Sequence, residues 1–242
     1  TGAQFYVGTQ TQVCDAYGCK RDGEFLRTLQ ENVRRRSAPT KLISDRAQSE
    51  ISKKALQYLR ALVIDSWQSE PHQQNQNPSE RRYKTVKRMT NTLLDRSGSP
   101  ASTWLLCILY VCFILNHTVC GAHNDIPMTR LTGSTHDISP LLHFYWWEEV
   151  LYHLDDSPFP SESREGRGNF VGIAEHVGHA MTYKILTADT NQIIFCSSVR
   201  SANSSSAPNL RTALFDGEMD TSITRFVKSK HGSSDLNDDL VG

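Results

Sequence analysis

Two carboxylates stand out by where they fall. Asp45 closes a short apolar strand, Lys41–Ser44, and Glu80 sits in the first turn of a strongly basic helix that opens at Pro78. Between them run a charged helix, a strand at Leu62–Ile64 and a turn-prone segment, His72–Pro78, that includes Gln76 and Asn77. At 100° per residue, Glu80, Lys84, Lys87, Arg88 and Asn91 share one stripe, opposite Tyr83, Val86, Met89, Thr90, Leu93 and Leu94, with Arg82 the one intruder on that opposite face. The chemistry on offer is that of two acids that must act together, beside a basic face suited to a polyanion. Sequence adjacency does not join Asp45 to Glu80, so a fold must.

The elements in front of this stretch suggest such a fold. Gln4–Val7 and Thr11–Tyr17 have strand character, and Phe25, Leu26, Leu29 and Val33 recur at one-face helical spacing until Ser37-Ala38-Pro39. A helix over Gln48–Arg60 carries Ile51, Ala55, Leu56 and Leu59 on one side. The order β-β-α-β-α-β, then a long helix ended by Ser97-Gly98-Ser99-Pro100, predicts an α/β fold with mixed strand directions. Trp104 to about Val119 is apolar all round and predicts a buried helix. Gly121–Pro140 has loop composition, aromatic-rich Leu141–Leu154 fits strand or helix, and Asp155–Gly168 is polar. Phe170–Ala174, Met181–Leu186 and Ile193–Val199 predict a small antiparallel sheet, and the remainder is polar and acidic.

Bulk properties narrow the classes. The 242 residues suffice for a sizeable core, and 26 basic against 26 acidic residues leave only the local crowding at Arg34–Arg36 and Arg81–Arg88 as a sign of a basic face. Six scattered cysteines do not make a disulfide scaffold, and no secretory signal opens the chain, so an intracellular setting is expected. The longest apolar run, Trp104–Leu115, falls short of the ~20 residues of a membrane span.

Four segments resemble the integrase region of copia-type retrotransposon polyproteins: KLISDRAQSE (Lys41–Glu50), WQSEPHQQNQNPSERRYKTVKRM (Trp67–Met89), SPASTWLLCILYVCFILNHT (Ser99–Thr118) and RGNFVGIAEHVGHAMTYKILTADTNQIIFCSSVR (Arg167–Arg200). The resemblance implies an α/β, ribonuclease H-like mixed sheet with flanking helices, followed by a small antiparallel β subdomain. It divides the chain into a catalytic core over 1–120, a connecting segment over 121–165, the β subdomain over 166–200 and a polar, acidic tail over 201–242. Asp45 matches the second and Glu80 the third acid of the family's Asp-Asp-Glu triad, with an interval one residue shorter than the commonest family spacing. The first acid has no match, since the first strand here corresponds to the family's second. Asp15, the nearest substitute, precedes the first helix directly and is taken as an ordinary turn or strand-end Asp.

The resemblance implies Mg²⁺ (or Mn²⁺) on the acids, where two ions would activate an attacking oxygen and stabilise a leaving one. DNA, both element ends and target, would be the partner, met by Lys84, Lys87, Arg88, Gln76 and Asn77. Homo-oligomers of the intact enzyme, nuclear localisation for the intact element and no membrane partner follow likewise. With two of three acids, the chain is expected to be silent alone. A degenerate domain that only binds nucleic acid or a protein, and another ribonuclease H-like nuclease, are the rival readings. His117, Cys120 and His123 have ligand-like spacing but no fourth ligand, so no zinc is expected. His176 and His179 read as a surface hairpin pair, Cys14, Cys19, Cys107 and Cys112 as packing residues, and Trp146-Trp147 as buried rather than stacked on bases.

Overall fold

The computed structural model describes residues 2–44, 52–68, 78–121, 124–154, 163–177, 182–204 and 209. Strand β1 (Gly2–Val7) pairs antiparallel with β2 (Cys14–Cys19), from Gly2 opposite Cys19 to Val7 opposite Cys14. Helix α1 (Phe25–Arg36) then buries Phe25, Thr28 and Leu29, the i, i+3, i+4 set of one face. β3 (Lys41–Ser44), α2 (Lys53–Ala61) and β4 (Asp65–Gln68) follow, with β3 and β4 parallel. The Ser52 side chain caps α2 by accepting from the Ala55 N–H.

The strand expected at Leu62–Ile64 lies three residues later. Leu62, Val63 and Ile64 instead continue the turn off α2, their N–H groups donating to Tyr58, Arg60 and Leu59. Val63 takes a left-handed φ of 54° and is 88% exposed, and of the three only Ile64 is buried. Three β-branched or aliphatic residues in a row thus mark a helix exit anchored by one side chain. The helix expected from Gln48 is described from Lys53 onward.

Phe25, Leu29, Ala55, Leu59 and Ile64 form one cluster, joined by Tyr6 from β1 and Leu42 from β3. The mixed sheet expected from the sequence is found, among the described residues, as two strand pairs, one antiparallel and one parallel. Both pairs contribute to that cluster on α1 and α2.

α3 (Pro78–Ser97) ends at Gly98, whose φ is 66°, and α4 (Trp104–His117) begins after Ser99-Pro100. Cys107, Ile108, Tyr110, Val111, Cys112 and Asn116 of α4 are all buried. The segment expected to be loop at Gly121–Pro140 contains a six-residue helix, α5 (Pro127–Thr132), with Pro in its first turn and Gly133 in the left-handed cap position. Six residues are too few to show a period, which is why composition hid it.

Among the described residues a five-stranded antiparallel sheet follows: β5 (Glu149–His153), β6 (Glu165–Ile173), β7 (Tyr183–Thr187), β8 (Ile193–Cys196) and β9 (Val199–Ser201), in the order β8-β7-β6-β5-β9. The sheet has two more strands than the three apolar runs predicted. Leu141–Leu154 proves to be a 3₁₀ turn at Ser139–Leu142 leading into β5, and Glu165–Gly168, expected in a linker, opens β6. Buried Phe170 meets the rings of Tyr110, Phe144 and Tyr183.

One cluster holds these parts together. It runs from Cys14 and Ala16 of β2 and Val86 of α3, through Cys107–Cys112 of α4, to Val150, Phe170, Ile173 and Ile185 of the sheet. That explains the all-round apolarity of α4: β2 and α3 lie against it, and so does β6. Among the described residues no helix is long and apolar enough to cross a membrane.

Candidate functional site

α3 is the element that presents chemistry. Val86 and Thr90 are buried, and Met89, Leu93 and Leu94 are half-buried and pack into the main core. On the other side Lys84, Lys87, Arg88 and Asn91 are exposed and Glu80, in the first turn, is half-buried. An acid in the first turn is favoured by the helix dipole. Tyr83, expected on the packing side, is 41% exposed, its ring edge-on to Phe5 at 5.0 Å. Arg82 turns inward: its Nη2 donates to the Leu115 carbonyl at 3.2 Å, near the C-terminal end of α4.

The remaining site residues of the sequence reading, Asp45, Gln76 and Asn77, lie outside the described residues. β3 ends at Ser44, immediately before Asp45, and α3 begins at Pro78, immediately after Asn77. Among the described residues no group of three or more His, Cys, Asp or Glu could hold a metal ion. Glu80 is a single carboxylate there, which does not by itself make a Mg²⁺ site.

Among the described residues, two of the histidines singled out in the sequence can be placed. His117 is buried, donates from Nδ1 to the Phe113 carbonyl at 2.8 Å and lies edge-on to His136. Burial holds its pKa below the usual histidine value. Cys120 forms an isolated bridge with Asp125, and His123 and His179 are outside the described residues. His176 is 66% exposed, with Nε2 at 3.8 Å from Glu175. Trp146 is buried, its indole N–H donating to Ser99 at 3.2 Å, in keeping with the packing role expected of it.

The strongest electrostatic feature was not anticipated. Asp15, read as a turn or strand-end residue, lies within β2, is buried, and receives two 2.8 Å hydrogen bonds from Arg36. Glu175, just beyond β6, accepts from Arg35 at 2.6 Å and Arg36 at 3.3 Å. Burial alone would raise the Glu175 pKa, but the Arg35 and Arg36 charges outweigh it and hold the carboxyl below its usual value. Burial pushes the nearby Lys184 ammonium down. The run Arg34–Arg36 was visible in the sequence as basic crowding. Nothing in the sequence paired it with a glutamate 140 residues away from Arg35.

Neither a family model nor a curated protein matches the chain. Among solved structures, the chain is similar to one from a simian T-cell lymphotropic virus intasome in complex with the PP2A regulatory subunit B56 gamma. That match has a TM-score of 0.47 and 15% identity and covers 81% of this chain and 70% of the other. It is also similar to the HTLV-2 integrase catalytic core domain in complex with magnesium, with a TM-score of 0.42 and 15% identity over 54% of this chain and 92% of the other. At such scores the likeness is weak, and the functional reading rests on the chain's own residues.

Proposed function

We propose that the chain belongs to an integrase-type polynucleotidyl transferase of the copia retrotransposon kind, with a ribonuclease H-like core that acts on DNA. The observation that carries the reading is α3. It buries Val86 and Thr90 on one side and turns Glu80, Lys84, Lys87 and Arg88 outward on the other. The order β-β-α-β-α-β ahead of it, mixing antiparallel and parallel pairing, supports the same core.

In this reading Asp45 and Glu80 are ligands for Mg²⁺ or Mn²⁺, and Lys84, Lys87 and Arg88 bind phosphates beside them. Gln76 and Asn77 approach the DNA from the segment before α3. Two acids rather than three leave the 242-residue chain without strand transfer of its own. Homo-oligomers and a nuclear site of action belong to the same proposal.

DNA binding against salt tests it. Each phosphate contact contributes about 0.9 to the slope of log affinity on log salt. K84E with K87E should weaken duplex binding and flatten that slope, while circular dichroism shows the fold retained. No duplex binding at low salt, or an unchanged slope in the double variant, would overturn the basic face. Mg²⁺-dependent joining by residues 1–242 alone would overturn their silence.

A further inference from the structure

Helical projection places Tyr83 with the packing residues of α3, yet the residue is 41% exposed at the border of the basic stripe. On the helix surface it stands one turn after Glu80 and one turn before Lys87. Arg81, Lys84, Lys87 and Arg88 are all exposed, and none is held in an ion pair among the described residues. Four such cations around one carboxylate, Glu80, give this end of α3 a positive face suited to a polyanion.

Two anchors fix the Tyr83 ring. Its backbone belongs to α3, and its ring meets that of half-buried Phe5 on β1 with centroids 5.0 Å apart and planes at 67°. Phe5 in turn packs against the main core. A T-shaped contact of this kind occupies at most one face of a ring, so it leaves at least one face of Tyr83 open. The phenol hydroxyl makes no hydrogen bond among the described residues. A ring held in this way offers a broad contact area with little conformational entropy left to lose. The other exposed aromatics of the described residues are set differently. Trp67 already carries the Lys41 ammonium at 3.3 Å from its ring centroid, while Tyr145 precedes β5 and Phe195 lies on β8, neither within a row of cations.

We propose that Tyr83 is a stacking platform for an unpaired base, so that the outward face of α3 takes a single-stranded stretch of DNA. The inference rests on the DNA reading of this face and narrows it to a form of the substrate. In a duplex the bases offer only their edges in the grooves, and cations on a helix meet phosphates. An aromatic ring standing among those cations is matched to a base whose π-face is uncovered, with Lys84 and Lys87 on the phosphates to either side. Every base has such a face, so this contact selects strand form rather than sequence.

Binding of the whole chain to a single-stranded oligonucleotide and to a hairpin-closed duplex, read by fluorescence anisotropy over a salt series, tests the platform. Tyr83→Leu keeps an apolar contact for Phe5 but has no π-face; it should weaken single-strand binding about tenfold and closed-duplex binding less. Tyr83→Phe, which keeps the ring, should restore the single-strand affinity. Because Tyr83 is uncharged, the salt slope of Tyr83→Leu should match that of the parent chain, whereas K84E with K87E flattens it. Circular dichroism checks that each variant is folded. Unchanged single-strand affinity in folded Tyr83→Leu, with binding still weakened by K84E and K87E, would overturn the platform and leave the DNA reading of the face standing. Equal losses in Tyr83→Phe and Tyr83→Leu would assign the contact to the hydroxyl and overturn stacking. A chain that binds neither form of DNA at low salt would overturn both the platform and the DNA reading.

Discussion

Arg36, the last residue of α1, donates two hydrogen bonds of 2.8 Å to the two carboxylate oxygens of Asp15 in β2. The same guanidinium reaches Glu175 at 3.3 Å, beyond β6. One side chain thereby ties a helix and a strand of the first half of the chain to the sheet of the second. The side chains of Arg36 and Asp15 are only 12% and 5% exposed, so this pair is shielded from the screening that makes surface pairs weak.

Removing one partner should be costly. Arg36→Met leaves Asp15 buried without its bidentate partner, and breaking a buried pair in this way costs roughly 3–5 kcal/mol. Denaturant unfolding monitored by circular dichroism measures it, and a change under about 0.5 kcal/mol, the size of an ordinary surface substitution, would contradict the assignment.

Acid should find the same cluster. The folded pKa of Glu175 lies below its unfolded value, so its contribution is complete above the usual glutamate value of about 4.3 and disappears as pH falls through the folded value. Glu175→Gln should lower stability at neutral pH and flatten the acid limb of a stability-against-pH curve. An acid limb identical to that of the parent chain would show that Glu175 does not contribute to it.

Asn116 offers a sharper probe of the β2–α4 junction. Asn116→Leu keeps the volume but strands both the N–H and the carbonyl of Cys14 away from water, at ~1–3 kcal/mol for each group. Thermal unfolding should register the loss. Asn116→Asp, which still accepts from the N–H, should recover part of it at a pH where the acid is protonated.

Gly172 sits at the irregularity in the β6–β7 register, with φ at 136°. An added Cβ would meet Tyr110 only at an ordinary 3.6 Å, so space is not the obstacle. Backbone strain is: Gly172→Ala should cost about 1–3 kcal/mol. A neutral result in equilibrium unfolding would mean that the strand relaxes its φ.

The sequence made the helices legible where apolar periodicity was long, as in α1 and α3, where the apolar run was long and unbroken, as in α4, and where capping residues were explicit, as at Ser97-Gly98-Ser99-Pro100. It failed where length was short or where two signals coincided. Leu62-Val63-Ile64 has strand composition but serves as a helix exit, because only Ile64 finds the core. α5 is too short to show a period, and β5 was masked by aromatics that suit either state. The outward face of α3 followed directly from a 100° projection. The inward turn of Arg82 and the Asp15–Arg36–Glu175 cluster did not, since both depend on contacts between distant parts of the chain that no local pattern encodes.

The position of α4 bears on how the molecule can be divided. Fourteen apolar-rich residues serve two halves at once, with β2 and α3 against the helix from one side of the sequence and β6 from the other. A chain stopped just after α4 would bare Ile108, Tyr110 and Val111 to water, and a chain begun after it would leave Phe170 and Tyr183 without a floor. Either piece would carry a large apolar patch and tend to precipitate. Expression of the two halves together should rescue solubility that neither has by itself.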